Sequence, residues 1–408
     1  MSTEPRAVDG SQQQDPPTQN RIIKEMLSSS AMVTVMAIVF ALLIGAVLII
    51  FSDPNVLKTL DYLFARPSDF FSAAWQSISS AYSALFRGAI FDWNARSTVR
   101  MIRPITETLV YATPLIMAGL AVAIPFRAGM FNIGANGQVI LGTVAAGFIG
   151  YAFQLPPILH MFVAILGGML AGAAWAGIAG WLKAQTGANE VIVTIMLNNI
   201  AVFLIAYLLR QSWFTRLDSS LPKSANIEAS AKLPQLLPDP FRLHAGFIIA
   251  LLAAWGVWWL LERSTWGFEF RAVGANPNAA RTAGISVFRS TVLVMAIAGS
   301  LSGLAGANQI LGTEVALTAG IAGSLGFDAI TVALLGKSRP LGVVFSGLLF
   351  GALKAGSVAM ASQTHLPVDI VLVVQSVIVL LVAAPPLVRA IFRLPAPGAR
   401  TARKEAAA

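Results

Sequence analysis

Uncharged apolar runs long enough to cross a bilayer recur along this chain and restrict its fold more than any other feature. Ala31 to Phe51 alone gives 21 residues without a charge, and about 20 apolar residues suffice to span hydrocarbon as a helix. Further runs lie at about 104–125, 131–153, 158–182, 191–209, 245–261, 291–311, 318–336, 341–361 and 367–392. Lipid offers the backbone no hydrogen bonds, so only helices and closed barrels cross it, and runs of this length select helices. The expectation is an all-α integral membrane protein of about ten transmembrane helices. Composition agrees, because only 12% of the 408 residues are charged, about half the share in soluble domains.

The net charge of +9 is scattered between the runs, with no clustered basic face. That pattern suits anionic lipid headgroups and excludes nucleic acid as the expected partner. No cysteine is present, which removes disulfides, thiolate metal sites and thiol catalysis. His160, His244 and His365 have no metal-ligand spacing, so no metal and no cofactor is expected.

Residues 1–30 form a polar tail and 393–408 a basic one, and both are expected in the cytoplasm on either side of a membrane domain over 31–392. No small-residue cleavage site follows Phe51, so the first run is expected to stay as a helix. Ten crossings place 52–103 and 210–244 outside and the polar loop 262–290 inside. Within 52–103, Phe71, Trp75, Ile78, Tyr82 and Leu85 are spaced 4, 3, 4 and 3, one stripe of a helix with Ser68 as N-cap and Gly88 as stop. It fits an interfacial helix or one packed on the bundle. Residues 210–244 carry Pro222, Pro234, Pro238 and Pro240 and are expected to be extended, solvent-facing and free to dock an external partner. Gly168-xxx-Gly172, Gly299-xxx-Gly303 and Gly347-xxx-Gly351 predict close helix contacts. The halves 104–209 and 291–392 hold four runs each. Both contain a glycine-rich polar segment, FNIGANGQ and GSLGFDAITVALLG, which hints at an internal repeat.

Phe131 to Gly142, FNIGANGQVILG, puts Asn132, Asn136 and Gln138 inside an apolar run. A polar group unpaired in hydrocarbon costs several kcal/mol, so these residues must face protein or a water-filled path. With Asn198, Asn199, Asn308, Gln309 and Gln375 they form a set of uncharged donors and acceptors suited to lining the path of a neutral solute. For each one, an interhelical hydrogen bond is the alternative. Glu190, Glu314, Asp328 and Lys354 lie in or near spans. A lone buried charge is costly, so Lys354 is expected to pair with Asp328 or Glu314.

In the loop 262–290, Asn276 can cap a helix, Pro277 suits its first turn and Gly284 its end, which predicts a short helix over 277–283 on the membrane surface. Such a helix suits insertion into a cleft of another protein. Gly336-Lys337-Ser338 resembles the end of a phosphate loop, but the glycine required five positions before Gly336 is Thr331. A turn is the expected structure there, and no ATPase or protease motif appears.

GLAVAIPFRAGMFNIGANGQ, NEVIVTIMLNNIA, RAVGANPNAARTAGI, GFDAITVALLGKSRPLGVVFSGLLFGAL and VVQSVIVLLVAAPPLVR resemble the membrane permeases of ABC importers. The nearest branch is the nucleoside type, related to ribose and branched-chain amino acid permeases. The resemblance runs from about Tyr82 to Arg393. It implies a bacterial inner-membrane complex of two permeases, alike or different, with two ATPase subunits and an external substrate-binding lipoprotein. It further implies that Gly274, Asn276, Pro277, Ala279, Ala280 and Gly284 form the loop that couples ATP hydrolysis by the partner to the spans. Nucleosides are the first solute it implies, with riboflavin-like or sugar solutes as alternatives. Relatives usually carry glutamate where this chain has Asn136. An ion-coupled secondary transporter using Glu190, Glu314 or Asp328 is the rival from another class.

Overall fold

The computed structural model describes residues 30–215, 222–364 and 366–392; both tails and His365 lie outside the described residues. In chain order the helices are α1 (Ser30–Ser52), α2 (Pro54–Leu60), α3 (Pro67–Ala89), α4 (Thr98–Arg127), α5 (Ala135–Ala152), α6 (Pro157–Thr186) and α7 (Glu190–Leu208). They continue with α8 (Gly246–Arg263), α9 (Thr265–Ala275), α10 (Pro277–Thr282), α11 (Val287–Asn308), α12 (Leu325–Leu335), α13 (Pro340–Thr364), α14 (Asp369–Ala383) and α15 (Pro385–Ile391). Among the described residues the only strand-like pairings are isolated bridges in or beside the 210–244 segment.

Among the described residues, seven helices are long and apolar enough to cross a membrane: α1, α4, α6, α7, α8, α11 and α13. The other three expected spans come out shorter. The 318–336 run forms a helix only over Leu325–Leu335, 11 residues, about 16 Å at 1.5 Å per residue against a hydrocarbon core of about 30 Å. Its first part, TAGIAGS, is apolar but too rich in glycine and small residues to hold a helix by itself. The 367–392 run breaks before Pro385, and α14 keeps 15 residues. Pro385 lacks the amide that an uninterrupted helix would need there. The 131–153 run begins as an irregular stretch, and α5 starts only at Ala135.

Burial sorts the spans into two shells. In α4, α11 and α13 the spanning windows are 78%, 72% and 61% buried, against 22–28% for α1, α6, α7 and α8. The outer helices therefore expose side chains such as Phe162, Leu170, Phe203 and Trp255, which hydrocarbon solvates and water would not.

Glycine sets the closest contacts. On α11, Gly299 and Gly303 lie against Gly172 and Gly168 of α6, and Gly142 of α5 meets Gly303 from the third side. A Cβ at Gly172 would stand 2.8 Å from the Gly303 Cα, and one at Gly168 would stand 3.0 Å from the Gly142 carbonyl oxygen. Gly347 and Gly351 seat α13 on Ile116 and Ala112 of α4. Small residues let backbones approach where no hydrophobic effect drives helices together, and dispersion and weak polar contacts replace it.

The expected helix in 52–103 is α3, with bounds that differ from those expected. Ser68 does not cap it; Arg66 occupies the cap position and Pro67 begins the helix. Gly88 is helical and abuts Ala359 and Gly356 of α13. The buried stripe is Ala74, Ser77, Ala81 and Ala84, while Phe71 and Trp75 point outward. Small residues dock α3 on the bundle, and the large aromatics are left for lipid.

The 210–244 segment is not solvent-facing throughout. Ile227, Ala231 and Leu233 are buried, and the backbone amides of Ser224, Ile227 and Leu233 donate to the carbonyls of Leu317, Val315 and Leu311. His160 joins Ser230 to Ile149 through its two ring nitrogens, at 2.8 and 2.9 Å. Its described residues from 222 onward form a cap packed across one end of the bundle.

Candidate functional site

The FNIGANGQ residues form a hydrogen-bonded knot. Asn132 and Gln138 exchange amide bonds of 3.1 and 2.9 Å, and Asn132 Oδ1 also accepts from the Gly134 amide. Asn198 on α7 donates to the Ile133 carbonyl and accepts from the Gly137 amide, both at 2.8 Å. Asn136 Oδ1 accepts from the amide of Gly326, the second residue of α12, at 3.3 Å. All four side chains are buried and bond within protein, the alternative weighed for each from the sequence. Asn199 is exposed and bonds to its own helix, and Gln375 is buried on α14. Asn308 is buried, and neither of its amide atoms is hydrogen-bonded among the described residues.

A cavity of about 330 Å³ lies elsewhere, between α4, α13 and the stretch that joins α11 to α12. Its polar wall is Tyr111, Arg242, Gln309, Thr313, Glu314, Thr318 and Lys354. Of the residues expected to line a path, Gln309 is here, with its amide donating to the Ile321 carbonyl at 2.9 Å. The wall is irregular backbone: α11 widens into one π-helical turn over Gln309–Thr313, and helix resumes only at Leu325. Non-helical backbone at membrane depth is tolerated where it is buried or lines a cavity, and π-turns recur at functional sites. The sequence carried a signal for this, since small residues interrupt the apolar run at LTAGIAGSLG.

The charges in and around this wall are largely paired. Lys354 Nζ stands 4.0 Å from Asp328 Oδ2, one of the two partners expected. Arg242, from the capping segment, grips Glu107 on α4 with two nitrogens. That hydrogen-bonded pairing pushes the guanidinium above its ordinary pKa despite burial. Glu190 bonds Lys183 at 2.6 Å, away from the cavity. Glu314 is exposed on the wall, and no ion pair forms to it among the described residues. A second cavity of about 560 Å³ adjoins the first, shares Tyr111 and Arg242 with it, and adds Arg87, Arg100 and Arg103.

At the α9–α10 end, α10 runs Pro277–Thr282 and is capped as expected, with Asn276 Oδ1 accepting from the Asn278 and Ala279 amides at 3.0 and 3.1 Å. Gly284 leaves the helix at φ +80°, a conformation that costs other residues about 1–2 kcal/mol. Ala279 is exposed, whereas Ala280 is buried in the contact with the bundle. Gly274, at the end of α9, lies backbone-to-backbone on Ala128 and Gly129. Gly336-Lys337-Ser338 is a tight turn in which Lys337 and Ser338 both have positive φ, not a phosphate loop.

Comparison with known proteins agrees with this architecture. The profile of the family described as branched-chain amino acid transport system / permease component matches residues 105–383. The guanosine ABC transporter permease protein NupP of Bacillus subtilis is 41% identical over 313 residues, 76% of this chain and 86% of its own length. The nucleoside ABC transporter permease protein NupB of Lactococcus lactis is 35% identical over 70% of this chain and 81% of its own. The glucose ABC transporter permease protein TsgB13 of Haloferax volcanii is 35% identical over 68% and 75%. With its apolar helices, its glycine-packed bundle and a profile match over more than half its length, the chain belongs to this family of ABC-transporter permeases, as a multi-pass membrane protein.

Proposed function

We propose that this chain is the permease half of a nucleoside importer of the bacterial cytoplasmic membrane, driven by ATP that a partner subunit hydrolyses. The observation that carries the solute is the pair of relatives named for guanosine and nucleosides, at 41% and 35% identity. The cavity supports it with neutral donors and acceptors, Gln309, Thr313, Thr318 and Tyr111, around the carboxylate of Glu314, and with a size within the range of small-molecule sites. The bundle passes the membrane ten times in this reading, one passage being the descent of 314–324 completed by α12. The repeat is read in the two sequences of long helix, irregular stretch and short helix, α4 to α5 and α11 to α12.

Alternating access moves the solute: a binding lipoprotein outside and the ATPases inside each favour one arrangement of the bundle. The α10 helix, with Asn276, Pro277, Ala279 and Gly284, is the part that seats in the ATPase, and Gly274 and Ala280 hold it to the bundle. A second permease subunit completes the path. ATP-driven uptake of labelled nucleosides by the reconstituted complex, with glucose and riboflavin as competitors, tests the solute. Nucleoside uptake that both competitors leave intact supports it. Competition by glucose would favour a sugar permease, the reading that the 35% identity to a glucose permease keeps in view.

A further inference from the structure

The knot at FNIGANGQ is joined to both ends of the transport machinery, and its two joints are glycine backbone contacts. At the α9–α10 end, a Cβ on Gly274 would stand 2.5 Å from the Ala128 carbonyl carbon, and one on Gly129, at φ +68°, would stand 2.8 Å from the Gly274 carbonyl oxygen. No side chain separates the two segments, so α9 cannot shift without moving residues 128–129. From there five residues lead to Gly134. Over that distance the Asn132–Gln138 and Asn198 bonds brace the chain against bending.

Asn136 then meets Gly326, where a Cβ would stand 2.5 Å from the Asn136 Cβ and overlap its backbone. Asn136 Oδ1 accepts the Gly326 amide, one of the four amides that a helix start leaves without an intrahelical partner. Gly326 is followed two residues later by Asp328, which pairs with Lys354 on the cavity wall, and is preceded by the wall residues Ala322, Gly323 and Leu325.

We infer that Asn136 is a positioning residue that ties the ATPase-facing helix to the solute cavity: it holds the start of α12, so movement of α10 is delivered to the cavity wall. This rests on the ATP-coupled reading above. An acceptor oxygen is what the joint requires. Asparagine meets that need without a charge, and an acid would meet it with an added attraction to the helix N-terminus.

The test uses the assembled transporter in proteoliposomes and reads nucleoside molecules moved per ATP hydrolysed, next to the yield of assembled complex. Asn136→Ala is expected to lower that ratio at least fivefold with the complex still assembled, and Asn136→Asp to restore it to within twofold of the parent. A purely structural asparagine would change yield and leave the ratio alone, so an unchanged ratio in Asn136→Ala overturns the inference. Should Asn136→Ala fail to assemble, Asn136→Leu and Asn136→Asp are compared in its place. Assembled Asn136→Leu at the parental ratio, or assembled Asn136→Asp with a ratio as low as that of an apolar variant, overturns it as well. Absence of any ATPase from the purified parent complex would count against the ATP-coupled reading itself, a distinct outcome.

Discussion

Two glycines on α6, five residues apart, should respond in opposite directions to the same added methyl group. Gly172 faces α11, where a Cβ would overlap the Gly299 carbonyl oxygen and stand 2.8 and 2.9 Å from the Gly303 Cα and N. All three are backbone atoms, so relief requires α6 and α11 to move apart by about 1 Å, and the same seam also holds Gly168 and Gly142. Overpacking of this kind costs about 1–3 kcal/mol, and the roughly 1 kcal/mol by which alanine exceeds glycine in helix propensity offsets part of it. At Gly177 a Cβ would meet nothing within 4 Å among the described residues, so Gly177→Ala keeps the whole propensity gain. The two variants should differ by about 2 kcal/mol, which at about 2 °C per kcal/mol for a large chain separates their Tm values by about 4 °C. Fluorescence-detected gel filtration of heated detergent extracts measures this. Gly172→Ala should melt below the parent and Gly177→Ala at or above it. Equal shifts, or a lower Tm for Gly177→Ala, would refute the close-packed seam.

Ala279→Trp should abolish ATP-driven uptake while leaving Tm unchanged, because Ala279 points away from the bundle. Ala280→Trp should lower Tm, because Ala280 is buried, and comparing melting with transport in both variants checks the distinction. Glu314→Gln should raise the KM for nucleosides about 10-fold, the order expected for a lost charge-assisted hydrogen bond. Under an ion-coupled mechanism the same variant would instead remove the pH dependence of uptake. Burial holds His244 down to about pKa 4 from 6.5, helped by the charge of Arg242. The folded protein therefore resists protonation that the unfolded chain accepts, and stability should fall as pH drops from about 6.5 towards 4. Melting curves across that window should lose much of their slope in His244→Gln.

The long runs, the glycine pairs and the capped α10 were legible because each rests on a local rule: length, small-residue spacing, or Asn before Pro with Gly to follow. What was not legible depends on residues distant in sequence. An asparagine in an apolar run must have a partner, but FNIGANGQ does not reveal whether the partner of Asn136 is solute, water or the Gly326 amide, 190 residues away. Likewise LTAGIAGS is apolar enough to pass as half a span, and only its packing on Gln309 and the 222–233 segment shows it as a cavity wall. The same cause hid the burial of the 210–244 segment, whose prolines mark it as irregular without showing what it covers.

The central claim, that this permease is moved by an ATPase seated on α10, is tested most directly by purifying the tagged chain in mild detergent and identifying what accompanies it. The account predicts a stoichiometric ATPase subunit that is lost when Ala279 is replaced by tryptophan. A chain that purifies without an ATPase, yet supports uptake that a protonophore abolishes, would contradict it.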